Sequence, residues 1–430
     1  MADFKNKVVY QIYPKSFKDS NGDGIGDLRG VIDALDYLAD MGVDYLWLTP
    51  FFVSPQKDNG YDIADYLAID PHFGTMDDFD ALVKAADAKG LKIMLDMVLC
   101  HTSDQHAWFQ RALAGDADYQ RYYILRDGRN KKCADDPGEP PTNWQCAFGG
   151  SAWQWEPRLG KWYLHLHDVS QPDLDWTNPT VRDELAKVVR FWKERGVAGF
   201  RFDVINLVAK PEVFADDTQG LGRRLFADGP HIHEYLQELV RSAGIGDMVT
   251  VGEMAPTDHY RDVESLNYYR ILREQGKTVA EALTILAARS RDNGRTPMQW
   301  SAGSYAGFST REPWIPLAKN HAAIHVEAAQ RDEHSILAFY RRLIRLRHEM
   351  PIIAEGDIRF IEEDNPDVIA YERTWQGEQL TVLCNFRPTA VHLRHLSLQD
   401  FADARKLLGN YPDREECLHP YEVLALYRRA

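Results

Sequence analysis

The chain has 430 residues, 44% of them hydrophobic and 27% charged, enough for a large core and a smaller companion domain. Its formal net charge of −15 argues against nucleic acid or an anionic membrane as partner, since both need basic surface, but leaves room for an anionic small substrate on a local basic cluster. No apolar run approaches the ~18 residues of a membrane span, and the opening MADFKNKVVYQIYP lacks a basic-then-apolar leader, so a soluble cytoplasmic protein is expected.

Five apolar, β-branched runs read as buried parallel strands: residues 7–14, 43–50, 91–99, 199–206 and 248–253. Helical patterns lie between most of them. VIDALDYLADMG follows the first run, MDDFDALVKAADAKG precedes the third, and NPTVRDELAKVVRFWKERG precedes the fourth, with Asn178 as N-cap and Pro179 at the first helical position. This alternation implies a parallel sheet with helices outside it. Residues 101–175 are rich in Trp, Gly, Pro and Asp and show no sustained period, which predicts an inserted lobe over one end of the sheet. Residues 336–350 form a basic amphipathic helix pattern. From 353 to 430 short alternating segments (DIRFIEE, DVIAYERTW, QLTVLCNF, AVHLRHL, YEVLALYRR) predict an antiparallel β domain. The five cysteines, Cys100, Cys133, Cys146, Cys384 and Cys417, are odd in number and contain no CxxC pair. That reads as reduced thiols, against a disulfide framework or a zinc site.

Polar residues gather where the strands end, the place where a parallel α/β barrel collects its chemistry. The third run delivers Asp96 and His101, the fourth Arg201 and Asp203, the fifth Glu253. Arg201 lies two residues before Asp203, hence on the same side of a strand, and its charge is expected to hold Asp203 ionised. Glu253, beside an apolar run, is expected to carry a raised pKa and act as an acid. Such a pair suits retaining glycoside hydrolysis, which needs carboxylates about 5–5.5 Å apart.

Six motifs stand in order along the chain: QIYPKSFKDSNGDGIGDLRG, DNGYDIADY, DMVLCHTSDQHAWF, QPDLDW, GFRFDVIN and TVGEM. Together they resemble the α-amylase superfamily of retaining glycosidases, in its oligo-1,6-glucosidase-like branch. The resemblance implies a (β/α)8 TIM barrel (residues 1–100 and 176–352), an inserted subdomain (101–175) and a C-terminal β domain (353–430). It makes Asp203 the nucleophile and Glu253 the acid/base, puts His101 and Arg201 at the cleaved glucosyl ring, and has Asp58, Tyr61 and Arg295 close its far end. DDTQGLGRRLFADGPHIHEYLQEL (216–239) is similar to the matching segment of trehalose-6-phosphate hydrolases, and Arg223 and Arg224 are adjacent donors suited to the phosphate of a phosphorylated disaccharide, unless they serve a helix end or a salt bridge. Lys131 and Lys132 of the inserted lobe add charge. For DSNGDGIGD the resemblance implies a structural calcium ion held by Asp19, Asn21, Asp23 and Asp27, with no cofactor in catalysis. The alternative is a metal-free Asx-rich turn.

The rhythm of strands stops at Glu253, and for about a hundred residues no further apolar run appears. The family carries three more strands there, the seventh ending in an Asn-His-Asp motif that holds a third catalytic carboxylate. Here Asn320-His321 is followed by Ala322, and GEMAPT runs straight into a segment resembling the family's stretch beyond its eighth strand. The reading is an internal deletion of strands 6–8, joined near 256–258. A second departure is Cys100, where the family has Asn. Three functions are open: hydrolysis of trehalose 6-phosphate to glucose and glucose 6-phosphate, oligo-1,6-glucosidase or α-glucosidase activity, or a catalytically dead sugar-binding remnant. A calcium-binding interaction protein would rest on residues 19–27 alone. The oligomeric state is not legible.

Overall fold

The computed structural model describes residues 4–133, 136–253, 272–273, 275–279, 281, 294–412 and 416–429. The proposed junction at 256–258 lies outside the described residues. The chain divides into two compact units, Val9–Ser335 and Ile336–Ala430, with Asp3–Val8 belonging to the second.

The first unit is built on Val9–Ile12, Tyr45–Leu48, Lys92–Met97, Gly199–Phe202 and Val249–Gly252, one in each expected run. They form one sheet in chain order, every pairing parallel. The strands are shorter than the apolar runs because the run ends turn away to become loops and helix starts. Pro14, for instance, has no N–H to give a ladder and opens the helix Pro14–Phe17 instead. Burial grades across the sheet. The central strands Lys92–Met97 and Gly199–Phe202 are buried on both faces, whereas in Val249–Gly252 only Val249 is buried and Val251 is 47% exposed. Among the described residues the first and fifth strands are the sheet's edges.

Helices cover the sheet as expected. Pro179–Glu194 starts at Asn178, whose side chain accepts from the Thr180 N–H at 3.0 Å. Met76–Asp87 is opened by a reciprocal capping box between Thr75 and Asp78. Trp192 packs edge-on against Phe79 with ring centroids 5.0 Å apart, beside Phe51 and Phe52, all four fully buried. Full burial of such side chains contributes about 1.5–3 kcal/mol each. Residues 101–175 carry their own small antiparallel sheet (Leu125–Arg126, Lys161–Leu164, Trp153–Glu156), but they cluster in the same compact unit as the strands rather than apart from it.

In the second unit a five-stranded antiparallel sheet contains Asp357–Ile361, Val368–Trp375, Glu378–Asn385 and Val423–Arg429, four of the five expected segments. The fifth, AVHLRHL, forms only the single bridge Val391–Leu418. The remaining place is taken by Arg405–Gly409, whose register slips between Lys406 and Leu408 and so hides the alternation. The helix Ile336–Glu349, given to the barrel by sequence, groups with this unit. Among the described residues no helix is long and apolar enough to cross a membrane.

Candidate active site

Strand register assembles the site. Asp96 stands opposite Arg201, and Arg201 opposite Val251. Side chains two residues apart share a face, so Asp203 and Glu253 follow Arg201 and Val251 to the same side, each one residue past the last register pair, Phe202 with Gly252. Three main-chain bonds fix these ends: Asp203 N–H to Met97 O at 3.0 Å, Glu253 N–H to Phe202 O at 2.9 Å, and Ile205 N–H to Glu253 O at 3.1 Å. Between them Val204 adopts φ +34°, a left-handed conformation costly for a β-branched residue and characteristic of functional turns.

The guanidinium of Arg201 is the hub. Its Nη1 donates to Asp96 Oδ1 at 2.6 Å and to Asp203 Oδ1 at 2.7 Å, while Nη2 donates to Glu253 Oε2. Trp47 Nε1–H and the Tyr61 hydroxyl donate to the other Asp96 oxygen at 3.1 and 3.3 Å, and the Trp47 ring centroid lies 5.1 Å from the guanidinium carbon. One cation thus meets three carboxyl groups. Burial pushes Asp203 well above the ordinary carboxylate range, against the pull of Arg201 and with Asp96 and Glu253 adding repulsion. Burial likewise raises Asp96 to about 6 despite Arg201. The electrostatic expectation is therefore corrected: Arg201 does not suffice to hold Asp203 at a low pKa, because burial outweighs its pull and Asp96 and Glu253 add repulsion. Nor does Glu253 sit in an apolar pocket, since its side chain is 41% exposed and meets the guanidinium.

Arg201, Asp203 and Glu253 line a cavity of about 440 Å³ together with Asp58, Tyr61, His101, His167 and Arg295. Gln171 donates to Asp58 Oδ2 at 3.0 Å and lies 3.1 Å from His101 Nε2, which also meets the Tyr61 carbonyl at 3.1 Å. Gln171 and His167 were not singled out by sequence; both belong to the inserted lobe, and QPDLDW was the nearest signal. Arg223 and Arg224 stand outside the cavity's lining. Arg224 pairs with the buried Asp217 at 2.6 Å, the salt-bridge alternative, because the tight turn at Gly222 (φ +93°) folds Asp217 back onto the helix Arg223–Phe226. Lys131 is paired with Asp127 at 3.1 Å.

The DSNGDGIGD loop satisfies itself. Asp19 accepts from the N–H groups of Asn21, Gly22 and Gly24 and from the Ser309 hydroxyl, at 2.6–3.0 Å. Asn21 and Asp23 accept from Asp23 and Ile25 N–H, and Asp27 caps the helix Leu28–Asp33 through Gly30 N–H while accepting from Ser20. Among the described residues no three acidic groups of this loop bring ligand oxygens within 4.8 Å of one another. Four donors on Asp19 fill its acceptor sites, an arrangement that an Asx-rich turn accounts for by itself.

Comparison with known proteins gives a consistent picture. The family described as "Alpha amylase, catalytic domain" matches residues 11–266 and, as a second overlapping piece, 259–356. "Maltogenic Amylase, C-terminal domain" matches residues 358–414. The chain is 39% identical to trehalose-6-phosphate hydrolase of Escherichia coli (strain K12) over 504 aligned positions, covering 89% of this chain and 90% of the relative. It is 33% identical to oligo-1,6-glucosidase of Bacillus cereus over 555 positions, covering 98% of each. Its fold is similar to the crystal structure of Bacillus licheniformis trehalose-6-phosphate hydrolase, mutant R201Q, with TM-score 0.91, 34% identity and coverage of 99% of this chain and 100% of that one.

Proposed function

The chain belongs to the α-amylase family of glycosidases, and on that basis we propose that it is built as a retaining α-glucosidase for trehalose 6-phosphate, releasing glucose and glucose 6-phosphate. The observation that carries this reading is the placement of Asp203 and Glu253 on the two terminal nitrogens of one guanidinium, at neighbouring strand ends. Neighbouring strands are about 4.8 Å apart, close to the ~5–5.5 Å that double displacement requires. Asp203 attacks the anomeric carbon, Glu253 protonates the departing oxygen and then activates water, and Asp58, Tyr61, His101 and Arg295 hold the terminal ring. Glu253 meets the Arg201 guanidinium here, so it must leave that contact to reach the departing oxygen.

The phosphorylated substrate is favoured by the 39% identity to a trehalose-6-phosphate hydrolase. The oligo-1,6-glucosidase reading has its own support at 33% identity, and also in the lining of the cavity, where Arg201 and Arg295 are the basic residues among those described. We also propose that strands 6–8 and the third carboxylate are missing. Supporting this are the family match in two pieces, an alignment of 555 positions against a chain of 430 residues, and the lack of an Asn-His-Asp motif, the pair Asn320-His321 being followed by Ala322 in a turn.

The experiment is a steady-state assay on trehalose 6-phosphate, trehalose and isomaltose, beside a version with the three strand–helix units restored. Losing ~3–4 kcal/mol of transition-state contact predicts a rate about 10²–10³-fold below the restored version. Equal rates would refute the loss. No cleavage of any of the three substrates by the restored version would refute the glucosidase reading.

A further inference from the structure

We propose that Cys100, His101 and His167 form a binding site for a thiophilic divalent transition metal of the zinc class, in the wall of the cavity that holds Asp203. The spacing of the cysteines argues against such a site, because none of them is near another and His167 is 66 positions beyond His101. The fold brings the three together. One ligand atom from each lies within 4.8 Å of the other two, and among the described residues this is the one such grouping. Zinc binds sulfur at about 2.3 Å and imidazole nitrogen at about 2.0–2.1 Å, so tetrahedral ligands sit roughly 3.3–3.8 Å apart. Closing this set onto an ion needs movements of about an ångström.

Two features make the set more than a coincidence of neighbours. The Tyr61 carbonyl, 3.1 Å from His101 Nε2, can only accept a hydrogen bond. In the tautomer that donates Nε2–H to this carbonyl, the Nδ1 lone pair faces the Cys100 sulfur, 2.9 Å away. A histidine that donates its far nitrogen to a backbone carbonyl is oriented as metal-binding histidines are. The segment is also held in place. Tyr66 donates to the Val98 and His101 carbonyls at 2.8 and 2.9 Å, Trp176 to the Leu99 carbonyl at 2.8 Å, and Leu174 N–H to the Cys100 carbonyl at 2.9 Å. Both imidazoles line the cavity, with ring centroids 4.9 Å apart, so a fourth coordination position faces open space. A thiolate with two imidazoles is a donor set suited to zinc and its neighbours and poorly suited to calcium or magnesium. Binding releases the thiol proton to solvent and changes no oxidation state.

A metal there would occupy the wall against which a sugar ring is proposed to rest, and so would inhibit by competition. That consequence rests on the glucosidase reading, whereas binding itself does not. The test is a cobalt(II) titration of the intact chain, stripped with chelator and kept reduced, read by thiolate-to-cobalt charge transfer and the visible bands of tetrahedral cobalt. Wild type should show both, zinc should bleach them, Cys100→Asn should lose them, and His167→Ala should bind at least about tenfold more weakly. Circular dichroism confirms that each variant is folded. Identical spectra for wild type and Cys100→Asn would overturn the site, since the other four cysteines would then account for the signal. An absent thiolate band in wild type would do the same. Where turnover is measurable, zinc should raise KM in wild type and lose that effect in Cys100→Asn. For a chain without turnover the cobalt spectra alone decide whether the site exists.

Discussion

Replacing Arg201 by glutamine removes the guanidinium that Asp96, Asp203 and Glu253 share. The Asp96 side chain is fully buried and that of Asp203 is 10% exposed, so in the variant two carboxyl groups face each other with their shared counter-charge gone. Breaking a buried ion pair on one side costs about 3–5 kcal/mol when the partner stays charged. Protonation changes that cost. Asp96 has a folded pKa of about 6, above its ordinary value of 3.8, and Asp203 is raised as well. Carboxyl groups with raised folded pKa values bind protons that the unfolded chain has lost, so wild-type stability itself falls as pH rises from about 4 through 6. At pH 5 Asp96 is largely neutral in both proteins and loses little with Arg201. The penalty of the substitution should therefore be about 3–5 kcal/mol at pH 8 and about half that at pH 5. Denaturant unfolding followed by tryptophan fluorescence reads this directly, because every tryptophan except Trp375 lies in the first compact unit. An equal penalty at both pH values would refute the shared-cation account, and so would no penalty at pH 8.

Asp203→Asn and Glu253→Gln should each lower turnover on the preferred glucoside at least about 1000-fold while circular dichroism is unchanged, as loss of a reacting group does. If either variant keeps a tenth of the rate, its assignment fails. Arg224→Ala should lower the stability to unfolding by about 1–2 kcal/mol and leave the preference for phosphorylated over unphosphorylated substrate untouched. Arg224 and neighbouring N–H groups hold the Asp217 carboxyl down to about 2, so this penalty is present above about pH 4 and fades as pH falls toward 2. A selective rise in KM for the phosphorylated sugar would instead restore Arg224 to the substrate. Because the loop around Asp19 satisfies its own oxygens, calcium added after chelation should leave Tm unchanged. A rise in Tm that grows with calcium concentration would show a cation captured at the cost of those bonds.

Elements whose physics is local were legible in the chain before it folds. Five β-branched runs became five parallel strands, Asn178 and Pro179 opened their helix, and the period of two put Arg201 and Asp203 on one side. The six ordered motifs were enough to identify the family. Register and distant loops set the rest. That Asp96 stands opposite Arg201, leaving one cation among three carboxyl groups, comes from a strand pairing 105 residues apart in sequence. Gln171 and His167 reach the cavity from the inserted lobe, where no periodicity marks them. The oxygens of Asp19 and the guanidinium of Arg224 were available to a ligand as far as composition could tell. Folding gave them to nearby N–H groups and to Asp217, since a turn that closes on itself satisfies its polar groups without waiting for a partner.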